Sequence, residues 1–291
     1  MSRSWTVVAL AYALAGAAAF GTAALLDGPV LAVTLAADVV ATVVVFALSM
    51  VVRNASLYDP YWSVAPPVIA LAWAIVGDGV GVRQVLVVAL VTIWAVRLTG
   101  NWVSGWRGLS HEDWRYVQLR ATRGRVPWWV VNLGGIQLMP TLAVYAGMLS
   151  VWPAVAAGRH PLWILDGLAV VVTAGAIALE TVADRQLRRF TRIPANQRRI
   201  ADIGVWRHSR HPNYLGEIGF WWGLWFFGLA ADARWWWTVV GPLGMVVLFV
   251  AASIPLMDRR SEQRRPGYAE YKRQVPALVP GMPLRRGRRL D

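Results

Sequence analysis

The chain contains no cysteine, which excludes disulfides, thiolate metal sites and a cysteine nucleophile. Acids are scarce: 16 Asp and Glu stand against 29 Lys and Arg, leaving a net charge of +13. Its four histidines, His111, His160, His208 and His211, form no HExxH, and no third ligand stands near the His208/His211 pair, so no catalytic metal is expected. No GxGxxG follows a strand-like run, which removes a Rossmann nucleotide site. Charged residues of either sign make up only 15% of the chain, whereas 57% is hydrophobic and the mean hydropathy is +0.45. A soluble domain rarely has this balance; a polytopic membrane protein does.

Apolar runs long enough to span a bilayer, on the rule of about 20 residues per crossing, cover 6–26, 30–52, 83–102, 128–150, 162–183 and 235–257. Two shorter runs, 61–77 and 213–231, can span, tilt or re-enter. The expected fold is therefore an all-α, polytopic membrane bundle of seven to eight transmembrane helices, one domain over 1–291. Ala17 and Ala19 mimic a signal cleavage site, but the first apolar run is too long for a signal core, and it is expected to remain as a helix.

The positive charge is concentrated. Residues 103–127 hold five Arg against two acids, 183–212 eight Arg against two Asp, and 258–291 ten Lys/Arg against four acids. The positive-inside rule places all three on the cytoplasmic side. Attraction to anionic lipid headgroups accounts for the terminal Arg285-Arg286-Gly287-Arg288-Arg289 run. In 183–212 the Arg are interleaved with Asp184, Asn196 and Asp202, and Asn213 and Glu217 follow, a mixture suited to a ligand with phosphates and hydrogen-bonding rings. No aromatic-basic reading surface or helix-turn-helix pattern accompanies the charge, so nucleic acid is not an expected partner.

Polar groups inside apolar runs are costly and mark function by default. Glu180, Asp184 and Arg188 recur at four-residue steps and share one helix face; an ion-pair ladder is the plainer reading of them. Arg97 and Gln137 also lie within apolar runs. The densest stretch is Arg207-His208-Ser209-Arg210-His211-Pro212-Asn213-Tyr214-Leu215-Gly216-Glu217. Pro212 breaks the chain there, and Asn213 is positioned to cap the helix that follows. Gly219-x-x-x-Gly223 suits close helix packing.

The pattern Gly204-x-Trp206-Arg207-x-Ser209-Arg210-His211-Pro212-Asn213-Tyr214-x-Gly216-Glu217 resembles the signature of the steroid 5α-reductase family, particularly its bacterial members. Glu180-x-x-x-Asp184-x-Gln186-Leu187-x-x-Phe190 and Arg265-Pro266-Gly267-Tyr268-x-x-Tyr271, with Pro276 and Pro280 beyond, are similar to the same group. The likeness is strong from about residue 180 onward. It implies a membrane reductase whose cytoplasmic loops wrap NADPH and which reduces the carbon–carbon double bond of a 3-oxo-Δ4 steroid or similar enone entering from the bilayer. By the resemblance, Asp184, Arg210, Asn213 and Glu217 lie against NADPH, and Arg97, Arg107, Asn196, Arg207, His211, Tyr214 and Tyr268 complete that wall. Residues 128–291 then serve mainly the cofactor and 1–127 mainly the substrate.

On the substrate side the family places a carboxylate near Asp59, which makes Asp59 the expected ketone-polarising acid, with Tyr58 beside it. The family's tyrosine on the fourth span falls near Trp94, which is no phenol donor; Tyr58, Tyr61 and Tyr116 are the alternatives. Trp62, Trp94 and Gln137 are expected to line the substrate pocket. Tyr58-Asp59-Pro60-Tyr61 also reads as a plain interfacial turn. The location implied is a bacterial inner membrane, with the cofactor loops and carboxyl terminus cytoplasmic and lipids as the other partners. Two rivals stand beside this reading. One is an isoprenylcysteine carboxyl methyltransferase-like protein using S-adenosylmethionine, whose family shares Arg-His-Pro-x-Tyr-x-Gly and Tyr-x-x-Tyr. The other is a transporter or lipid scaffold, which lacks the expected inverted repeat.

Overall fold

The structure, a computed structural model, describes residues 2–281; the Arg285–Arg289 run lies outside the described residues. All regular structure among those residues is helical. The apolar runs become α1 (Ser2–Leu25), α2 (Val30–Val51), α3 (Tyr61–Val76) and α4 (Gly81–Gly105), followed by a short α5 (Trp114–Thr122). Then come α6 (Trp128–Ala157), α7 (Ile164–Thr191), α8 (Pro212–Ala231), α9 (Ala233–Arg264) and α10 (Tyr268–Gln274). Six of these, α1, α2, α4, α6, α7 and α9, are long and apolar enough to cross a membrane, and they coincide with the six full-length apolar runs. The chain is thus an integral membrane protein. The two shorter runs form α3 and α8, which are helical but fall outside that set of six.

Two long helices change pitch where proline requires it. A proline ring clashes with the carbonyl four residues earlier and supplies no N–H. For Pro140 and Pro255 those carbonyls belong to Ile136 and Ala251, and both sit in π-helical turns, Val131–Leu138 and Leu248–Ser253. Widening the turn relieves the clash. It also brings residues five apart onto one face, so Gln137 Nε2 donates to Asn132 Oδ1 at 3.0 Å.

The tightest helix pair is α7 with α8, and its closeness is written in small residues. A Cβ on Gly223 would collide with Thr173, and one on Gly216 with the Glu180 side chain; at Gly219 it would press on Ala176 Cβ at 3.2 Å. Around this pair packs the main core, including Trp73, Trp94, Phe220, Trp221, Leu224 and Phe227.

The loops gather at two ends of the bundle. At one end Asn54 donates to the carbonyls of Leu109 and His111, Arg260 stacks over Trp114 at 3.5 Å, and Arg210 N–H reaches Pro276 O at 2.9 Å. At the other end Asp78 N–H reaches Ala156 O, His160 N–H reaches Ala231 O, and Arg83 grips Asp166. The Arg-rich segments 103–127 and 183–212 both belong to the first end.

Candidate functional site

A cavity of about 950 Å³ lies at the basic end, between the carboxyl-terminal parts of α7 and α9, the start of α8, and α10. Arg198, Arg260, Arg264 and Arg265 line it, and among the described residues none is paired with a carboxylate. Glu262, the acidic residue in the wall, is matched by Lys272 at 3.0 Å. The net field in the cavity is therefore positive and favours an anion.

Asn213 and Tyr214 form the cavity floor. The helix begins at Pro212, with His211 as its N-cap and no side-chain cap, so Asn213 is not the cap expected from the sequence. The ring of Pro212 fits the first helical position, where an N–H has no partner to lose; this starts the helix two residues early. Asn213 is thereby freed: its side chain makes no hydrogen bond among the described residues and faces the cavity. Tyr214 stacks on His211 with ring centroids 5.2 Å apart.

Deeper in the bundle, Arg97 on α4 faces three carboxylates. Its Nη2 lies 2.8 Å from Glu180 and 4.0 Å from Glu217, and its Nη1 donates to Asp184 at 3.0 Å. Asn101, one turn on, also donates to Asp184 at 3.0 Å. Glu217 accepts from the indoles of Trp94 (3.0 Å) and Trp221 (2.8 Å). Glu180 and Asp184 thus look across to Arg97 rather than along their own helix to Arg188, so the ladder that their spacing offered as the plainer alternative does not form. Trp94 spends its N–H on Glu217 and stacks on Phe220 at 4.5 Å; Trp62 meets it edge-on at 6.2 Å.

The remaining expected residues divide. Arg210, His211 and Tyr268 do line the cavity, but all three side chains are bound to Asp258 on α9. Arg207 is exposed and turns to Asp202, Asn196 bonds Phe190 O, and Arg107 is exposed on the loop after α4; none of the three lines the cavity. Gln137 is fully buried, donating to Ser49 and Asn132, and its Oε1 has no donor.

Asp59 sits in the α2–α3 turn and accepts from Tyr116 Oη at 2.5 Å. Burial pushes its carboxyl up to about 6, against the opposing pulls of Arg115 and the Tyr116 hydrogen bond. Tyr58 instead bonds Thr141 at 2.8 Å, and burial raises its phenol. Helix α5 joins this turn to the cavity, because Trp114 lies under Arg260 and Tyr116, two residues on, holds Asp59. The raised carboxyl carries a sign. A folded value above the ordinary 3.8 means its favourable contribution is complete below that value and is lost as pH rises through about 6. Thermal stability of the wild type should therefore fall relative to Asp59→Asn across that window; parallel melting curves from acid to neutral pH would contradict the burial of this carboxyl.

Sequence reasoning passed over three buried acids. Asp38 is the lone carboxylate in the α2 run and accepts from Tyr61 at 2.7 Å; its isolation among apolar residues was the available signal. Asp166 and Asp258 pair with arginines 83 and 48 positions away, and local spacing carries no trace of such partners.

The fold and site together define a polytopic helical membrane protein with a basic cavity at one end of its bundle. Residues 45–275 match the family described as "Protein of unknown function (DUF1295)", and the chain belongs to that family, which is related to the steroid 5α-reductase-like superfamily. It is similar to the uncharacterized protein C594.04c of Schizosaccharomyces pombe, 26% identical over 264 residues that cover 81% of this chain and 76% of the relative. No solved structure matches.

Proposed function

We propose that the protein is an NADPH-dependent membrane reductase acting on the carbon–carbon double bond of an apolar enone such as a 3-oxo-Δ4 steroid. The observation that carries this reading is the cavity: about 950 Å³, lined by four arginines that have no acidic partner, and by an Asn213 side chain that has no hydrogen bond, among the described residues. Its volume falls within the usual range for small-molecule and cofactor sites. The guanidinium groups suit the phosphates of NADPH, its 2′-phosphate included. The start of α8 adds two amides, Asn213 and Tyr214, with no backbone partner among the described residues.

When bound, the nicotinamide supplies a hydride; the chain positions and polarises. Arg198, Arg260, Arg264 and Arg265 hold the phosphates, and Asn213 orients the polar end of the ligand. Asp59, kept partly protonated near neutral pH, donates a hydrogen bond to the ketone oxygen, where negative charge develops as the double bond is reduced. The apolar bundle admits the substrate from the bilayer. The loops alternate between the two ends through all eight long helices, which fits eight crossings that include α3 and α8. The positive-inside rule then puts the Arg-rich end in the cytoplasm.

Asn213→Ala should weaken NADPH binding by about tenfold, roughly one charge-independent hydrogen-bond set, while leaving the melting temperature of the ligand-free protein unchanged. Titration of purified protein, followed by NADPH oxidation with progesterone-like enones, checks both halves. If the variant binds as the wild type does, the cavity is not the nucleotide site. Tighter binding of S-adenosylmethionine than of NADPH would favour a methyltransferase instead.

A further inference from the structure

Asp258 is a buried carboxylate outside the sequence motifs, and it holds three side chains at once. Arg210 reaches it through Nη2 at 2.9 Å and Nε at 3.4 Å, His211 through Nε2 at 3.0 Å, and Tyr268 through its hydroxyl at 2.7 Å. The same arginine and its neighbours also bind the backbone of the chain that follows α10. Arg210 Nη1 donates to the carbonyls of Lys272 (3.1 Å) and Val275 (2.5 Å). Arg210 N–H donates to Pro276 O at 2.9 Å, His211 N–H to Ala277 O at 3.1 Å, and Ser209 Oγ to Ala277 O at 3.1 Å. Tyr271 Oη closes the far side on Trp206 O at 2.5 Å. Gly267, at φ +80°, makes the reversal that lets α10 fold back after α9.

Residues 268–277 are therefore a strap, pinned to the amino-terminal edge of α8. Tyr268 and Tyr271 on its inner side form part of the cavity wall. We infer that Asp258 is a positioning residue for the cavity: it docks the strap by neutralising Arg210, so that Arg210 and His211 serve ligand binding through the strap and not by touching the ligand. Both N–H groups of Arg210 Nη1 go to strap carbonyls, and Nη2 and Nε turn to Asp258, which leaves the anion chiefly to the arginines that have no carboxylate partner among the described residues. This inference rests on the cavity being an anionic-ligand site, as proposed for NADPH.

The absence of cysteine makes a site-specific test direct. A spin label on Ala277→Cys reports strap docking, and titration with NADPH and with inorganic pyrophosphate reports the cavity. Asp258→Asn should mobilise the label and weaken both ligands by about tenfold or more. Asp258→Glu should recover part of each effect. An immobile label in Asp258→Asn overturns the inference, and so does a mobile label with unchanged ligand affinity. If the wild type binds pyrophosphate but not NADPH, the nucleotide reading fails and the pyrophosphate series alone decides the role of Asp258. If it binds neither, both fail.

Discussion

Arg97→Ala is expected to be among the most damaging single substitutions in this protein. It removes a guanidinium that lies within 4.0 Å of Glu180, Asp184 and Glu217, with the carboxylate side chains no more than 12% exposed. Breaking a buried ion pair by deleting one partner costs about 3–5 kcal/mol, because the other charge stays behind without compensation. Here three acids share one partner, so the loss should reach the upper part of that range. Glu217 keeps its two indole donors and Asp184 keeps Asn101, which leaves Glu180 as the group most exposed to the change. Arg97→Lys should be intermediate, since one ammonium cannot present the planar fork that reaches Glu180 and Asp184 together. Arg97→Ala combined with Glu180→Gln should recover part of the loss. Thermal unfolding in detergent reads these effects; a melting temperature for Arg97→Ala equal to that of the wild type would contradict the arrangement described for the three carboxylates.

Arg83→Ala should cost as much by a different route and at the opposite end. Arg83 is fully buried and binds Asp166 with two donors, Nε at 2.6 Å and Nη2 at 2.9 Å. It also donates to His160 O (2.9 Å) and Pro161 O (3.3 Å), tying the start of α4 to the loop before α7. Deleting it strands Asp166 and two carbonyls, again a loss of about 3–5 kcal/mol. Replacing both partners, Arg83→Met with Asp166→Leu, should restore most of that loss, since an apolar pair carries no desolvation cost. The protein that remains folded should bind NADPH as the wild type does, because this clamp lies at the end away from the basic cavity. Equal loss of binding in the folded fraction would mean that the two ends are coupled.

The long apolar runs were readable because bilayer-spanning helices need length and composition alone, and all six became spanning-length helices; α6, α7 and α9 run on past the expected ends at 150, 183 and 257 to Ala157, Thr191 and Arg264. The short runs 61–77 and 213–231 gave helices whose number of crossings composition cannot fix. Close packing at Gly219 and Gly223 was legible, since small residues four apart leave a groove. Partnerships across the bundle were not. Glu180 and Asp184 suggested a ladder to Arg188, yet they meet Arg97 more than eighty positions away. Arg210 and His211 read as ligand contacts because of their density, whereas the structure spends them on Asp258. The cavity arginines Arg260, Arg264 and Arg265 looked in sequence like any basic helix end; only the fold shows that no acid among the described residues pairs with them.

The central claim is that the basic cavity at the start of α8 holds NADPH, and equilibrium binding to the purified full chain tests it most directly. Titration with NADPH, NADH and S-adenosylmethionine, repeated on Arg264→Glu/Arg265→Glu, should rank NADPH tightest in the wild type, NADH weaker by the loss of its 2′-phosphate, and S-adenosylmethionine weakest. The charge reversals should abolish the preference for NADPH over NADH. Binding of NADPH and NADH with equal affinity, unaffected by the reversals, would contradict the account.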